Sequence, residues 1–125
     1  MLALAATVLI QMAAPADASA STNLAEALYR ASTEATGSHL CDRKLTARYT
    51  AQFNRRYGSR VRALTKYHVS KYGPDPDFII ITSCRTSLVS IHRQDRDHAL
   101  AMSGFEGALR DLERQFGPEA GIPPR

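Results

Sequence analysis

The sequence predicts an α+β domain in which two or three N-terminal helices and one C-terminal helix pack on a small antiparallel sheet of two or three strands. Two observations lead to this prediction. Apolar residues recur at helical spacing before Gly73 and after Ser103. Between these regions lies the only long run of β-branched and aromatic residues, 78–83, which follows a Gly-Pro-Asp-Pro breaker and ends before Cys84.

The first two helices have clear start signals. Asn23 and Glu26 form a capping box, and the helix that follows is predicted to run from residue 24 to about residue 36, next to Gly37. Asp42 is a candidate N-cap for the second helix. The apolar stripe of this second helix repeats every four residues: Leu45, Tyr49, Phe53 and Tyr57.

Glycine marks the ends of the next helical stretch. Gly58 is predicted to end or kink the second helix, and a third stretch begins at Ser59. Gly73 followed by Pro74 is a normal helix stop. The sequence therefore predicts two or three helices before the central strand.

The predicted sheet is built around residues 78–83, which are apolar on both faces. Residues 88–92 are a second candidate strand and residues 98–102 a third, joined by the polar turn 93–97, and short connections favour antiparallel neighbours. Ala, Leu and Met prefer helix, so the third strand could instead belong to the last helix.

The C-terminal helix is predicted to start at a second capping box, formed by Ser103 and Glu106, and to end at Gly117-Pro118. A loose tail is expected from about residue 118. The predicted core collects the inward positions of all these elements: Leu45, Tyr49, Phe53, Leu64, Ile79, Ile81, Leu100, Phe105, Leu109 and Leu112.

The first 20 residues differ from the rest and predict export. An apolar run is followed by Pro15 and by Ala18-Ser19-Ala20, the small-x-small pattern of a signal-peptide cleavage site, although no Lys or Arg stands near the start. The alternative, a membrane anchor, needs about 20 apolar residues, more than this run supplies. We therefore expect a periplasmic or secreted protein with one mature domain, 21–125, and no transmembrane helix in it.

Cys41 and Cys84 are the only cysteines of the chain. An even cysteine count in an exported chain favours a disulfide between them. Closing a loop of about 44 residues contributes about 4 kcal/mol in the chain-entropy model. If the chain is not exported, the alternative is two buried thiols.

Basic charge is concentrated between Cys41 and Lys71, where nine Lys and Arg residues accompany a single acid, Asp42. Such a helical face attracts anionic partners. In an exported protein we expect an anionic envelope polymer, a lipid headgroup or an acidic protein; nucleic acid becomes the partner only if the chain is not exported. The alternative is a solvated surface without a specific ligand. The predicted binding residues are Arg48, Arg55, Arg56, Arg62 and Lys66.

The histidines suggest an alternative to anion binding, namely metal binding or acid-base catalysis. His92 and His98 flank the predicted turn, where Asp95 or Asp97 could join them, but the spacing matches no zinc signature, and no metal or cofactor is predicted. The same two histidines, with a Lys or Arg, could cleave phosphodiesters by acid-base catalysis. The sequence therefore favours a non-enzymatic exported binding module over a small secreted hydrolase.

Overall fold

The computed structural model describes residues 23–80, 83–118 and 120. These residues form three helices: α1 (Leu24–Thr36), α2 (Arg43–Tyr72) and α3 (Ile91–Phe116). The described residues contain no strand, and an isolated bridge between Leu40 and Arg85 is their only β-type pairing. The predicted α+β class and its antiparallel sheet are therefore wrong, because the described part of the chain packs as a helical bundle.

Helix α1 begins where the capping box predicts, but only the Asn23 half of the box forms, because the Glu26 carboxylate accepts from Arg30 instead. The Asn23 side chain accepts a hydrogen bond from the Glu26 backbone N–H at 2.8 Å. Gly37 ends the helix in the left-handed conformation, with φ 73°. A Cβ atom at Gly37 would lie 3.0 Å from the Tyr49 ring, so glycine provides both the backbone conformation and the close approach to α2.

Helix α2 is one continuous helix, so the break predicted at Gly58 is wrong. Asp42 caps its first turn by accepting from the Leu45 N–H at 3.0 Å. Gly58 lies in the helix interior, where glycine costs only about 1 kcal/mol relative to alanine. Burial on both sides of Gly58, at Tyr57 and Leu64 among others, outweighs that cost.

The contacts between helices fix their directions. Tyr49 of α2 meets Asp95 near the start of α3, and His68 near the end of α2 meets Phe116 at the end of α3. Helices α2 and α3 therefore run parallel. Helix α1 is antiparallel to both, because its last turn contacts His98 while the Ala25 N–H in its first turn bonds the side chain of Asp75, just beyond α2.

The parallel arrangement of α2 and α3 explains why the described residues of the β-rich run, 78–80 and 83, form no strand. After α2, residues 73–90 must return along the length of the bundle before α3 can start. We call residues 73–90 the return segment. An 18-residue segment can span up to about 60 Å when extended, and α2 is about 45 Å long, so much of it must be extended. Its flanking elements are helices, which offer no free strand edge for pairing.

The disulfide predicted between Cys41 and Cys84 is present, with the two Cα atoms 4.9 Å apart. It joins the return segment to the chain just before α2. Two backbone hydrogen bonds flank it, from the Cys41 N–H to the Arg85 carbonyl and from the Arg85 N–H to the His39 carbonyl. The return segment is thus held at the end of the bundle where α3 begins.

Helix α3 begins at Ile91, capped by Ser90, not at Ser103 as the capping box predicted. The strands predicted at 88–92 and 98–102 are wrong, because residues 91–102 belong to this helix. His98, Met102 and Phe105 are buried at helical spacing and extend the apolar stripe toward the N-terminus.

The core is shared by all three helices. Seven predicted core residues are buried and confirmed: Leu45, Tyr49, Phe53, Leu64, Phe105, Leu109 and Leu112. Two predictions are wrong, since the exposed fraction is 86% for Ile79 in the return segment and 72% for Leu100 on the outer side of α3. Ile81 lies outside the described residues, as do the predicted signal peptide and most of the predicted loose tail.

Candidate functional site: a basic row on helix α2

Five basic side chains share one side of α2. At 3.6 residues per turn, they fall within a sector of about 40°. The row is about 33 Å long, because its ends are 22 residues apart and each helical residue rises 1.5 Å. All five residues are exposed. We call this set the basic row: Lys44, Arg48, Arg55, Arg62 and Lys66.

The basic row lies opposite the buried side of the helix. The residues that α2 buries include Tyr49, Phe53 and Leu64, which lie about 120° to 180° around the helix axis from Lys44. Helix α2 contains no Asp or Glu. The row is continuous only because α2 passes through Gly58 without a break, which places Arg62 and Lys66 in line with Arg48 and Arg55.

Gly58 also creates space for one member of the row. The Arg62 side chain folds back along α2, and its Nη1 atom would lie 3.0 Å from a Cβ at Gly58. Arg62 Nη2 lies 3.5 Å from the Ser59 hydroxyl oxygen. The guanidinium therefore rests against the helix backbone, as helical side chains that lean toward the N-terminus do.

Two arginines of α2 form salt bridges with acidic side chains of α3. Arg48 donates to Asp95 at 2.5 Å, and half of each side chain is exposed. Arg60, which is not in the row, binds Glu106 at 2.9 Å and Glu113 at 2.7 Å. The hydrogen bonds that Arg60 donates to Glu113 and Glu106 raise the pKa of Arg60, and the bond that Glu106 accepts from Arg60 lowers the pKa of Glu106.

The rest of the row has no acidic partner among the residues with described positions. Within the residues that the structure describes, Lys44, Arg55, Arg62 and Lys66 form no salt bridge. Four of the five predicted binding residues thus come together, and Lys44 joins them. Lys44 was missed, although counting back four residues from Arg48 identifies it.

Arg56 is the predicted binding residue that lies apart from the row. It sits about 120° around the helix from Lys44, and its guanidinium lies 5.2 Å from the Tyr57 ring centre. Arg56 and Arg48 border a groove of about 540 Å³ between α2 and α3, whose lining also includes Gln52, Asp95 and Ser103. The groove adjoins the row but is not part of it.

A polar cluster under this groove ties the three helices together. Asp95 accepts hydrogen bonds from Arg48 and from the Tyr49 hydroxyl, the latter at 2.6 Å. The Tyr49 ring stacks on His98 with ring centres 3.8 Å apart, and His98 Nε2 lies 2.8 Å from the Ala35 carbonyl. Because a carbonyl only accepts, Nε2 carries a proton.

Burial sets the charge state of this cluster. Desolvation lowers the pKa of His98, outweighing the Ala35 hydrogen bond and the Asp95 charge, which act in the opposite direction. Desolvation, together with the hydrogen bond to Asp95, raises the pKa of Tyr49. At neutral pH the stacked pair is therefore uncharged and serves to pack α2 against α3.

The structure does not bring His92 and His98 together. They are six residues apart on α3, which separates them by about 9 Å along the axis and by about 120° around it. His92 is exposed, whereas His98 is buried in the interface with α1 and α2. No group of three or more His, Cys, Asp or Glu side chains suited to a metal occurs in the described ranges.

His68 has a structural role that the sequence did not predict. Its Nε2 atom lies 3.1 Å from Asp75, and the second carboxylate oxygen of Asp75 accepts from the Ala25 N–H at 2.8 Å. The ring packs edge-on to Phe116. Asp75 therefore connects the end of α2 to the start of α1.

A larger cleft of about 870 Å³ lies between α1, α3 and the return segment. Both basic and acidic groups line it, including Arg30, Glu34, Arg85 and Asp97, and the lining also includes the apolar Leu100. This mixed lining favours no single ligand charge.

Comparison with protein-family models, with curated proteins and with solved structures gave no match. Among the described helices, none combines the length and the apolar character that a membrane span requires. Function must therefore be argued from the site itself.

Proposed function

We propose that this protein is a non-enzymatic binding module whose basic row contacts an anionic partner. The observation that carries the proposal is the alignment of five basic side chains on one exposed side of an unbroken helix that has no acid. Like charges in one row repel each other, and an anionic partner relieves that repulsion while releasing its counterions.

The organisation of the bundle supports binding over catalysis. The histidines that a phosphodiesterase would need as acid and base are far apart on α3, and His98 is already committed to Ala35 and Tyr49. The basic row needs no such convergence, because each Lys or Arg contacts a phosphate or carboxylate independently.

We further propose that the module acts outside the cytoplasm, on an anionic envelope component or an acidic protein surface. The disulfide between Cys41 and Cys84 supports this part of the proposal, because such bonds persist in oxidising compartments. The intact mass of protein from cells, measured after thiol blocking, tests it. We expect a chain starting at Ser21 with no blocked cysteine; a full-length chain with two blocked cysteines would contradict export.

Elution from a phosphocellulose column in a salt gradient tests the basic row. The test variant is Arg55→Glu/Arg62→Glu, which leaves Arg48 in place because Arg48 also bonds Asp95. We expect the full-length double variant to elute at much lower salt than the unchanged protein. Circular dichroism should show the same helix content, because both side chains are exposed.

The matched control is Arg93→Glu/Arg96→Glu, which changes net charge equally at exposed sites on α3. If the row is the binding surface, the control should elute close to the unchanged protein. Equal elution of the two double variants would show that net charge alone drives retention, and would overturn the proposal.

A further inference from the structure

We infer that the basic row is an extended binding site for a linear, base-free phosphate polymer, which it contacts through the phosphate groups. This inference rests on the proposed function and narrows the anionic partner to one class. It follows from the spacing of the charged groups, from the surface between them and from the position of the aromatic residues.

The spacing suits a ligand whose charges also follow a line. Arg48, Arg55 and Arg62 are heptad-spaced, so their Cα atoms are about 10.5 Å apart along α2. Lys44 and Lys66 extend the row beyond the outer arginines. A guanidinium presents a planar fork of donors that matches two phosphate oxygens, whereas lysine acts as a point charge. Arg55 and Arg62, which form no salt bridge with the described residues, are therefore the central phosphate contacts, whereas Arg48 already binds Asp95.

The side chains between the arginines of the row are small. Ala51 and Ser59, both exposed, occupy positions of α2 beside the row's sector between Arg48 and Arg62, whereas Gly58 is buried under the Arg62 guanidinium. Small side chains at these positions allow a polymer chain to lie close to the helix and to meet successive guanidinium groups.

The position of the apolar side argues against a bilayer. A helix that binds at a membrane surface buries an apolar side in the headgroup region. The apolar side of α2, which includes Phe53 and Leu64, is instead buried within the bundle. The row offers only charge and hydrogen bonds to whatever it contacts.

The position of the tyrosines argues against nucleic-acid bases as the recognised groups. Single strands are commonly bound by stacking their bases on exposed aromatic rings. Tyr49 and Tyr57 of α2 are buried, with hydroxyl groups bonded to Asp95 and to the Met102 carbonyl. Tyr67 and the exposed Tyr72 lie about 140° and about 80° around the helix from Lys44, outside the row. The row can therefore recognise phosphates but not bases.

Linear polyphosphate of graded chain length is the first probe, with fluorescence anisotropy of the labelled full-length protein as the readout. Affinity should rise with chain length until the polymer spans the row of about 33 Å, and change little beyond that length. Four basic residues of the row form no salt bridge with the described part of the chain. With four phosphate contacts and a single-strand slope of about −0.7 per contact, affinity should fall about 50-fold between about 50 and about 200 mM salt.

The charge variants test whether the row makes these contacts. Arg55→Glu/Arg62→Glu removes two contacts, so the same salt change should weaken its remaining binding only about sevenfold. Arg93→Glu/Arg96→Glu should retain the full salt dependence. An unchanged salt dependence in the row variant would overturn the inference.

Gly58→Ala tests the position of Arg62 separately from its charge. The added methyl group would meet the guanidinium at 3.0 Å and displace it from the helix. We expect weaker polyphosphate binding at higher thermal stability, since alanine favours the helix. Binding as tight as that of the unchanged protein would show that the placement of Arg62 is unimportant.

Two further probes separate the partner classes. An oligonucleotide and its abasic counterpart should bind equally, and vesicles of equal parts phosphatidylglycerol and phosphatidylcholine should bind more weakly per charge than polyphosphate. A strong preference for bases or for vesicles, lost in the row variant, would overturn this inference and leave the proposed function standing. Loss of row dependence with every probe, including phosphocellulose, would overturn both.

Discussion

Helix α2 and the return segment are both rich in apolar residues, yet the structure treats them in opposite ways. Helix α2 buries its apolar stripe against α1 and α3. The return segment leaves Ile79, Leu88 and Val89 exposed. The difference shows that apolar residues join the core only where their spacing along the chain places them against a neighbouring surface that can cover them. A β-branched run between helices has no strand to pair with and remains a connection.

The largest expected effect contrasts a core residue with an exposed one. Phe105 packs edge-on to Phe53 and Tyr57, with ring centres 4.8 and 4.9 Å away. Phe105→Ala should lower the free energy of unfolding by about 3 to 5 kcal/mol. Ile79→Ala in the return segment should change it by less than about 0.5 kcal/mol. Urea unfolding measures both, and a large loss in Ile79→Ala would mean that the return segment contributes to the core.

The disulfide gives the next largest effect, and it acts on the return segment. Replacing both Cys41 and Cys84 by Ser should lower the free energy of unfolding by about 2 to 4 kcal/mol, mostly by freeing the unfolded chain. Helix content in the absence of denaturant should not change, because the three helices make their own contacts. Circular dichroism during urea unfolding reports both quantities. A drop in helix content without urea would show that the bundle depends on the tether.

Acidification should lower the stability of the helical bundle, because it protonates His98. Burial lowers the pKa of His98 in the folded protein, with a smaller contribution from the Arg48 charge, and outweighs the Ala35 hydrogen bond and the Asp95 charge, which raise it. The stabilising contribution of His98 is therefore complete above its unfolded pKa, about 6.5, and is lost as pH falls toward the lower folded pKa. The melting temperature of the unchanged protein should fall across this range more than that of His98→Gln. Equal slopes for the two proteins would contradict this assignment.

The smallest expected effect lies within α3 itself. Leu100 is on the outer side of the helix with 72% of its surface exposed. Leu100→Ser should change the free energy of unfolding by only about 0.5 kcal/mol, most of it from helix propensity. A loss comparable to that of Phe105→Ala would place Leu100 in a buried contact and remove the distinction between the two sides of α3.

The sequence predicted the elements whose signals are local. The Asn23 cap, the stripe of α2 from Leu45 to Tyr57 and the late part of α3 were identified correctly because each depends on spacing within one helix. The strands were wrong because whether residues 78–83 pair is decided by their neighbours. The parallel arrangement of α2 and α3, which forces an extended return, is a property of tertiary packing that no local pattern contains.

The candidate site was predicted in composition but not in arrangement. The concentration of basic residues is visible in the sequence, and Arg48 and Arg55 are a recognisable heptad pair. Because Gly58 was predicted to end or kink the helix, the sequence did not place Arg62 and Lys66 on the same side of one helix as Arg48 and Arg55. The pairing of Arg60 with Glu106 and Glu113 depends on α3 lying alongside, so the sequence did not reveal which arginines remain available.

The disulfide has a mechanical consequence. Cys41 and Cys84 enclose all of α2, so tension applied to the two ends of the chain passes through the sulfur bridge and bypasses the helix that carries the basic row. In a pulling experiment, the 43-residue separation would stay hidden from the applied force. Adding reductant should lengthen the fully stretched chain by about 150 Å. A tethered copy of this protein could therefore bear load through α1 and α3 while α2 remains outside the force path.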